Sequence, residues 1–359
     1  MKILITGGTG RIGANLAKAL LAKGHEIRAF VYPGDASRAH KLDAYGKVET
    51  ITGDLRNFDD VKRAVQGVDA IYHLAAAFGG PFDNRQYLEI NGMGTINLLE
   101  AVRELCPNLQ RFIYACTEAI YWQLEQRIPH LQGKESRGFS QPITEEMVAR
   151  YHQMPYFLTK RVGEELVMAY HYQYGVPSVS FRFATVIEPG EFLDDAGLPK
   201  MFLLSPVYEL YKNQHSHVAA EQAMIDEIKA CWDGEEKLLL SRNPDGRPHH
   251  QQFCDVRDIV QGLVLGLEKE AAVGQEFTLA GAIFDWGQIV PDLSQRYGVP
   301  YVEARIPPPN HFEFDLTKIK THLGYEPQHD FHNILETAEA IRRGDDMDII
   351  PTGVRWGAA

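Results

Sequence analysis

The sequence predicts a doubly wound α/β fold, in which helices cover both faces of a parallel β-sheet, together with a smaller C-terminal α/β domain. Three observations lead to this prediction. Short apolar runs alternate with helical patterns through the first half of the chain, a glycine-rich turn joins the first run to the first helix, and this rhythm stops after Pro189. Strands and helices that alternate at such spacing favour right-handed crossovers and parallel strands.

The predicted elements follow one another in regular order. Apolar runs predict strands at residues 3–5, 26–31, 47–51, 69–73, 111–116 and 178–183. Helical patterns predict helices at residues 12–23, 59–65, 84–105 and 156–174. After Pro189 the sequence predicts a helix at 207–232, a strand at 275–280 and helices at 288–297 and 315–323. The irregular stretch at 121–153 is predicted to be a lid or rim, because loops of this length usually are.

Composition limits the classes of protein to consider. The 359 residues are 45% hydrophobic with a formal net charge of −12, which is typical of a globular chain and disfavours nucleic acid and anionic membranes as partners. The four cysteines, Cys106, Cys116, Cys231 and Cys254, show neither a CxxC pair nor metal-type spacing, so we expect no metal site. No apolar run has the length of a membrane helix. Because the first strand starts at Lys2, we expect no signal peptide. The sequence therefore predicts a soluble, cytoplasmic protein.

The turn after the first strand predicts a phosphate-binding loop. Gly7, Gly10 and Gly13 have the spacing in which the first glycine permits a tight turn, the second admits a pyrophosphate and the third lets helix pack on strand. The helix N-terminus adds free N–H groups and a partial positive charge. The loop predicted to bind the pyrophosphate of NAD or NADP comprises Gly7, Thr9, Gly10, Arg11, Ile12 and Gly13.

The residues that would distinguish NAD from NADP leave the choice open. An acid at the end of the second strand accepts from the ribose 2′-hydroxyl of NAD, whereas an arginine there holds the 2′-phosphate of NADP. This chain has Tyr32 at that point, which is neither, although Arg11 and Arg38 could reach a 2′-phosphate. After the third strand, the Asp54 carboxylate could accept a hydrogen bond from the adenine amino group. The next residue, Leu55, is also predicted to contact the cofactor.

Further motifs resemble those of the extended short-chain dehydrogenase/reductase family, which holds NAD-dependent sugar-nucleotide epimerases and dehydratases. The resemblance covers nearly the whole chain. Besides the glycine loop, its elements are Gly53 to Leu55, His73 to Ala76, Asn91 with Gly94 and Thr95, residues 112–117, Pro155 to Lys160, Arg182, Pro189, and residues 315–318 and 323–327. The resemblance implies a Rossmann fold. It also implies cofactor contacts from Leu74, Ala75, Ala76, Asn91, Tyr156 and Lys160.

Tyr156 and Lys160 are the predicted catalytic pair. Residues four apart share one face of a helix, so we expect the ammonium of Lys160 near the phenol of Tyr156. A free tyrosine titrates near pH ~10, and the cation is expected to lower the pKa of this phenol. By the family pattern, Lys160 also holds the nicotinamide ribose, and Thr117 hydrogen-bonds the reacting oxygen. Tyr156 then takes the hydroxyl proton while hydride passes to the nicotinamide.

Three departures from the family pattern narrow the substrate. Thr117 is followed by Glu118 and Ala119, so the second carboxylate of the family dehydratases is missing; Glu118 is either a proton donor or a solvated loop acid. Thr185 and Gln251 stand where nucleotide-sugar epimerases place an Asn and an Arg that contact the diphosphate. A neutral amide lacks the charge-assisted grip of arginine on phosphate. Glu118, Thr185 and Gln251 are therefore candidate substrate residues, and a nucleotide sugar is disfavoured.

The predicted function is NAD(P)-dependent oxidoreduction at a secondary alcohol or carbonyl carbon of a small or sugar-like substrate. Two alternatives stay open. One is a sugar-nucleotide epimerase with tightly bound NAD, and the other is a non-catalytic NAD(P)-sensing regulator, which the intact set of Thr117, Tyr156 and Lys160 disfavours. Residues 1–184 are the predicted NAD(P)-binding domain, and residues 185–359 mainly the substrate-binding domain, with segments near 250–285 returning to the main sheet. The resemblance also implies a homodimer.

Overall fold

The structure is a computed structural model of the chain. It describes residues 1–121, 141–149, 152, 154–215, 219–306 and 310–351. Most of the predicted lid at 121–153 lies outside the described residues, so its role stays a prediction. Among the helices in these ranges, none combines the length and the hydropathy needed to cross a bilayer.

A parallel sheet forms the centre of the molecule. The strands of the described residues are β1 (Lys2–Thr6), β2 (Glu26–Val31), β3 (Val48–Thr52), β4 (Ala70–His73), β5 (Arg111–Thr117), β6 (Ser178–Phe183), β7 (Thr185–Ile187), β8 (Leu238–Arg242), β9 (His250–Asp255), β10 (Gln275–Leu279), β11 (Ile283–Asp285) and β12 (Tyr301–Arg305). Seven of them form the central sheet in the order β3-β2-β1-β4-β5-β6-β10, every neighbouring pair being parallel. This order confirms the predicted doubly wound fold. Its direction of winding reverses between β1 and β4, where such sheets bind ligands.

The helices depart from the predicted pattern at two places. They are α1 (Arg11–Ala22), α2 (Phe58–Val65), α3 (Asn84–Tyr87), α4 (Gly94–Leu105), α5 (Pro155–Tyr174), α6 (Leu204–His215), α7 (Ala219–Ala230), α8 (Val256–Glu268), α9 (Trp286–Tyr297), α10 (Thr317–Leu323) and α11 (Phe331–Arg343). A π-helical segment at Leu88–Met93 interrupts the helix predicted at 84–105. The helix predicted at 207–232 is instead the pair α6 and α7. Five strands and two further helices are not among the predicted elements: β7, β8, β9, β11, β12, α8 and α11.

The two faces of the central sheet are packed by different helices. Side chains alternate along a strand. Thus Ile3 and Ile5 of β1 pack with apolar residues of α1 and α8 on one face, and Leu4 packs with those of α2, α4 and α5 on the other. All three side chains are fully buried. This three-layer packing holds the carboxyl ends of β1, β4 and β5 side by side at one edge of the sheet.

The C-terminal half adds two small sheets. One has the order β11-β9-β7, and the other pairs β12 with β8. They share an apolar core that includes Phe202, Phe253 and Phe284. Between these strands the chain runs back to the central sheet, where β10 lies along the edge beside β6. The domain boundary between residues 184 and 185 stays a prediction.

Candidate active site

The glycine loop between β1 and α1 has room for backbone only. Gly7 has a φ of +72°, a left-handed conformation that favours glycine, and its carbonyl accepts a hydrogen bond from the Gly10 N–H at 3.0 Å. A Cβ on Gly13 would lie 2.2 Å from the same carbonyl oxygen, and a Cβ on Gly7 would lie 2.9 Å from the Ala75 nitrogen. The loop is therefore packed both against α1 and against the segment after β4. That segment contains Leu74, Ala75 and Ala76, all partly buried.

The first turn of α1 is suited to bind an anion. Gly10 precedes the helix without a side-chain cap, and the first turn contains no carboxylate. Uncapped N–H groups at a helix N-terminus bind phosphate, so these residues fit a dinucleotide pyrophosphate. Thr9 is buried at 3% exposure and Ile12 is half-buried. The Arg11 guanidinium pairs with the Glu191 carboxylate at 2.5 Å, so its predicted contact with a 2′-phosphate would compete with this ion pair.

We expect Gly13→Ala to weaken dinucleotide binding. The added Cβ must displace the Gly7 carbonyl, and over-packing of this kind costs about 1–3 kcal/mol. Fluorescence titration with NADH should therefore show a several-fold higher Kd. Gly24→Ala is the control, because Gly24 has a φ of +81° at the opposite end of α1 and no neighbour within 4 Å of its Cβ position. That control should lose stability but keep its affinity; unchanged affinity in Gly13→Ala would contradict the assigned role.

A hydrogen-bonded chain that the sequence did not predict links the glycine loop to α4. The Ala75 N–H donates to the Thr6 hydroxyl at 3.1 Å, and Thr6 lies 2.8 Å from Nδ1 of His73. Nε2 of His73 lies 2.9 Å from the Thr95 hydroxyl, which donates to the Asn91 carbonyl at 2.6 Å. Thr95 therefore accepts from Nε2–H, and Thr6 donates to Nδ1. Burial lowers the pKa of His73 to about 3, so the imidazole is a neutral connector.

Asn91 joins two segments beside the site. It lies in the π-helical segment Leu88–Met93, and such segments are frequent at functional sites. Its Oδ1 accepts from the Ala77 N–H at 2.7 Å, while Nδ2 lies 3.1 Å from the Ala77 carbonyl and 3.0 Å from the Thr159 hydroxyl. These bonds fix the loop after β4 against α5. The amide is thus committed to the protein framework, and its predicted contact with the cofactor stays a prediction.

The residues predicted around the adenosine lie at the carboxyl ends of β2 and β3. Tyr32 is 52% exposed, and Leu55 is buried. Asp54 accepts from the backbone N–H and the guanidinium of Arg56, and this hydrogen bonding lowers the pKa of Asp54. Arg38 pairs with a carboxylate of its own turn. Because both Asp54 and Arg38 already have partners, these contacts do not decide between NAD and NADP.

One face of α5 carries Tyr156, Lys160 and Glu164 at four-residue intervals. Lys160 is 2% exposed with Nζ 4.3 Å from the centre of the Tyr114 ring, and burial lowers the pKa of its ammonium to about 8. Burial raises the pKa of Tyr156 above its usual range, and the nearby Thr117 hydroxyl lowers it by a smaller amount. The sequence predicted a lowered pKa; that prediction is wrong, because desolvation by burial is the largest effect on the phenol. The phenol is therefore protonated at neutral pH.

Glu164 ties this face of α5 to β6. Its Oε1 lies 3.0 Å from Nε of Arg182 and accepts from Ser180 at 2.8 Å. Arg182 also donates to the Tyr121 hydroxyl at 3.1 Å and to the Glu145 carbonyl at 2.6 Å. Glu164 and Arg182 are 0% and 3% exposed, so the buried Arg182 guanidinium depends on Glu164 for charge compensation. The pair therefore joins α5 to β6 two helical turns after Tyr156.

Glu118, the residue after β5, is held by two threonines. It is 8% exposed; Thr117 donates to its Oε2 at 3.1 Å and Thr185 to its Oε1 at 3.0 Å. The Thr117 hydroxyl also accepts from the Ala119 N–H at 3.2 Å. Burial raises the pKa of Glu118 to about 7. Of the two interpretations left open by the sequence, the solvated loop acid is wrong, because the carboxylate is buried.

Phe78 lies beside Tyr156 and was not predicted as a site residue. Its side chain is 72% exposed, and its ring centroid lies 4.9 Å from that of Tyr156 at an interplanar angle of 63°. Phe82, 39% exposed, packs against Tyr87 at 5.7 Å. Two phenylalanines in a glycine-rich turn at the ligand-binding edge were the available signal in the sequence. They give one side of the site an apolar wall.

Gln251 is engaged elsewhere. It lies on β9, where its Oε1 accepts from Nδ2 of Asn310 at 2.6 Å. The neighbouring Gln252 donates to the Gly281 carbonyl at 2.9 Å and accepts from the Phe314 N–H at 2.8 Å. The structure thus brings Thr117, Glu118, Tyr156 and Thr185 together. It gives Gln251 a separate contact in the C-terminal region.

The sheet order and the glycine loop define the class of proteins that bind a dinucleotide at the edge of a doubly wound sheet. The chain belongs to the NAD dependent epimerase/dehydratase family, whose model matches residues 3–280. The resemblance to extended short-chain dehydrogenases/reductases is thereby confirmed.

Individual relatives are consistent with this family assignment. A short-chain dehydrogenase/reductase superfamily protein from Agrobacterium tumefaciens, solved with bound NAD, is 27% identical with a TM-score of 0.79, covering 96% of this chain and 98% of that one. "Uncharacterized UDP-glucose epimerase YtcB" of Bacillus subtilis is 27% identical over 91% of this chain and 93% of that protein. A 3-beta-hydroxysteroid dehydrogenase of Mycolicibacterium neoaurum is 31% identical over 50% of this chain, and that match spans only 46% of the relative. The comparisons support an enzyme of this family and leave its reaction to be assigned.

Proposed function

We propose that the protein is an NAD(P)-dependent oxidoreductase that transfers hydride at a secondary alcohol or ketone carbon of a small, non-nucleotide substrate. The observation that carries the proposal is the meeting of α5 with the end of β5. There the Tyr156 phenol lies close enough to Thr117 for that hydroxyl to lower the pKa of the phenol, and Lys160 follows one helical turn later. This group lies at the carboxyl edge of the same sheet as the glycine loop.

The residues divide the chemistry among them. The glycine loop would hold the pyrophosphate and Lys160 the nicotinamide ribose, and the bound cofactor supplies or accepts the hydride. In reduction, Tyr156 donates its phenolic proton to the ketone oxygen, and in oxidation its phenolate takes the hydroxyl proton. The raised pKa of Tyr156 supports the acid role, because the phenol then keeps its proton at neutral pH. Thr117 orients the reacting oxygen by a hydrogen bond.

The surroundings of Tyr156 favour a substrate with an apolar group. Phe78 presents a largely exposed ring against the phenol, and Met154, just before α5, is 46% exposed. Gln251 supplies an amide, already bonded to Asn310, where an arginine would grip a diphosphate. We also propose that residues 185–359 mainly bind substrate. Thr185 belongs to that part and bonds Glu118, the residue after Thr117.

A two-stage measurement tests this function. Fluorescence titration with NADH and NADPH first identifies the cofactor. A panel of ketones, including acetophenone and simple sugar ketones, is then screened for loss of reduced-cofactor absorbance. We expect turnover of an aryl or alkyl ketone. Binding of the cofactor without turnover of any ketone or alcohol would instead favour the non-catalytic NAD(P)-sensing alternative.

A sugar-nucleotide epimerase is the second candidate. The similarity to YtcB along nearly the whole of both chains favours it. Such an enzyme retains its NAD and returns the hydride to the other face of the same carbon. Purified protein that carries NAD through dialysis and interconverts UDP-glucose and UDP-galactose without net change in reduced cofactor would establish this candidate. The oxidoreductase would lose cofactor on dialysis and show stoichiometric consumption.

We also propose that the protein is a homodimer. In many members of the family two subunits pair through the helices that correspond here to α4 and α5. Exposed apolar side chains lie on or beside these helices: Leu88 is 48%, Met93 49% and Leu158 48% exposed. Light scattering after gel filtration should give twice the mass of the chain. Leu158→Glu should give the monomer mass, whereas Trp232→Glu, at another exposed apolar residue, should not. A wild-type monomer would contradict the proposal.

A cytoplasmic location is proposed from the cysteines. All four are free, and three of them, Cys106, Cys116 and Cys254, are buried. Unpaired thiols are typical of a reducing compartment. Cell fractionation tests this location directly.

A further inference from the structure

The hydrogen bonds around Glu118 determine what Thr117 can offer a substrate. A charged carboxylate only accepts hydrogen bonds. In that state Thr117 must donate its hydroxyl hydrogen to Oε2, and Thr185 must donate to Oε1. One Thr117 lone pair is taken by the Ala119 N–H. Thr117 then has only an acceptor left, which suits the O–H of an alcohol and offers nothing to a ketone oxygen.

A neutral Glu118 reverses this arrangement. Its carboxylic O–H can donate to the Thr117 oxygen, which frees the Thr117 hydrogen to donate to a ketone oxygen. We propose that Glu118 is a positioning residue whose proton switches Thr117 between donor and acceptor, so that the neutral site binds the ketone and the charged site binds the alcohol. The inference rests on the proposed hydride transfer. It adds that the protonation state of Glu118 selects which substrate, ketone or alcohol, the site binds.

The pKa of Glu118, raised to about 7, makes both states accessible near neutral pH. Within the described residues, the groups that act on Glu118 come from three elements and from its own turn. The Thr185 hydroxyl of β7 and the Thr117 hydroxyl of β5 favour the charged form, as do the amides of residues 118 and 119. Tyr156 of α5 is the titratable group that faces it.

Two conservative variants test the switch by pH profile. In the wild type, kcat/KM for ketone reduction should fall by about tenfold for each pH unit above the Glu118 pKa. Glu118→Gln keeps a permanent N–H donor, so ketone reduction should persist while this dependence disappears. Thr185→Val removes a bond that favours the charged form, so the same dependence should move to higher pH. Lys160, with a pKa near 8, should titrate in all three proteins. A Glu118→Gln profile identical to wild type, or an unmoved Thr185→Val profile, would overturn the inference.

A binding measurement decides the inference without turnover. Calorimetry on the inactive Tyr156→Phe variant loaded with NADH, using acetophenone and 1-phenylethanol as probes, should show ketone binding strengthening below neutral pH and alcohol binding strengthening above it. Adding Glu118→Gln should remove both trends. Equal pH dependence for the two probes would overturn the inference.

Infrared difference spectra test the titration of Glu118 directly. They must show a carboxyl band that titrates across neutral pH and that is absent in Glu118→Gln. A Glu118 carboxyl that does not titrate overturns the switch even if neither probe binds. The proposed function fails separately, if the wild type reduces no ketone.

Discussion

Tyr156→Phe should lower kcat by about 10²–10⁴-fold, the range that a positioned general acid contributes. The variant keeps the ring that packs against Phe78 and removes only the phenolic hydroxyl. Binding of NADH should therefore change little, because the glycine loop lies on a different element. Single-turnover absorbance measurements with saturating ketone separate the chemical step from binding.

The matched control is Tyr170→Phe on the same helix. Tyr170 lies near the C-terminal end of α5, four helical turns after Tyr156, and its hydroxyl bonds Glu100 of α4. This variant should keep wild-type turnover and thereby exclude a general effect of losing a tyrosine hydroxyl from α5. Full activity in Tyr156→Phe would rule out the assigned mechanism, and equal losses in both variants would point to a structural effect.

Glu164→Ala should lower the free energy of unfolding by about 3–5 kcal/mol, because removing one partner of a buried ion pair leaves the other charge uncompensated. The stranded group is Arg182, which is 3% exposed and whose remaining described partners are the Tyr121 hydroxyl and the Glu145 carbonyl. Urea unfolding followed by circular dichroism measures the change. If this variant does not fold, Glu164→Gln keeps the side-chain volume and should show a smaller loss in the same direction.

Glu165→Ala is the control for the ion pair. Glu165 is the next residue on α5 and, like Glu164, pairs with Arg161, but its side chain is 62% exposed. Exposed pairs contribute only about 0–1 kcal/mol, so this variant should unfold close to wild type. Similar losses at the two positions would show that burial of Glu164 is not the cause.

The parts of the fold that the sequence predicted depend on local signals. Alternating strands and helices predicted the parallel sheet, and the spacing of Gly7, Gly10 and Gly13 indicated the turn into α1. The spacing of Tyr156 and Lys160 places both on one helical face whatever lies beyond that helix. Each of these patterns is complete within about one secondary-structure element.

The parts that the sequence did not predict depend on packing between distant segments. His73 bonds both Thr6 and Thr95, which lie 67 and 22 residues away, and no local pattern sets that register. The periodic apolar pattern continues through Leu88–Met93, so it predicted an uninterrupted α-helix where the structure has a π-helical segment. The direction of the Tyr156 pKa shift was wrong because helical spacing shows the neighbouring cation and does not show the desolvation.

The path of the chain between the sheets has a mechanical consequence. Among the described residues, the polypeptide leaves the central sheet between β6 and β7, returns between β9 and α8, and leaves again between β10 and β11. Two lobes joined by one linker can swing apart on a single hinge. When the chain crosses between the lobes several times, every crossing segment must bend for the lobes to separate. The two halves should therefore behave as one stiff body, and substrate access should depend on short surface segments. Elastic stiffness of this kind would hold Glu118, after β5, and Thr185, in β7, at bonding distance throughout a catalytic cycle.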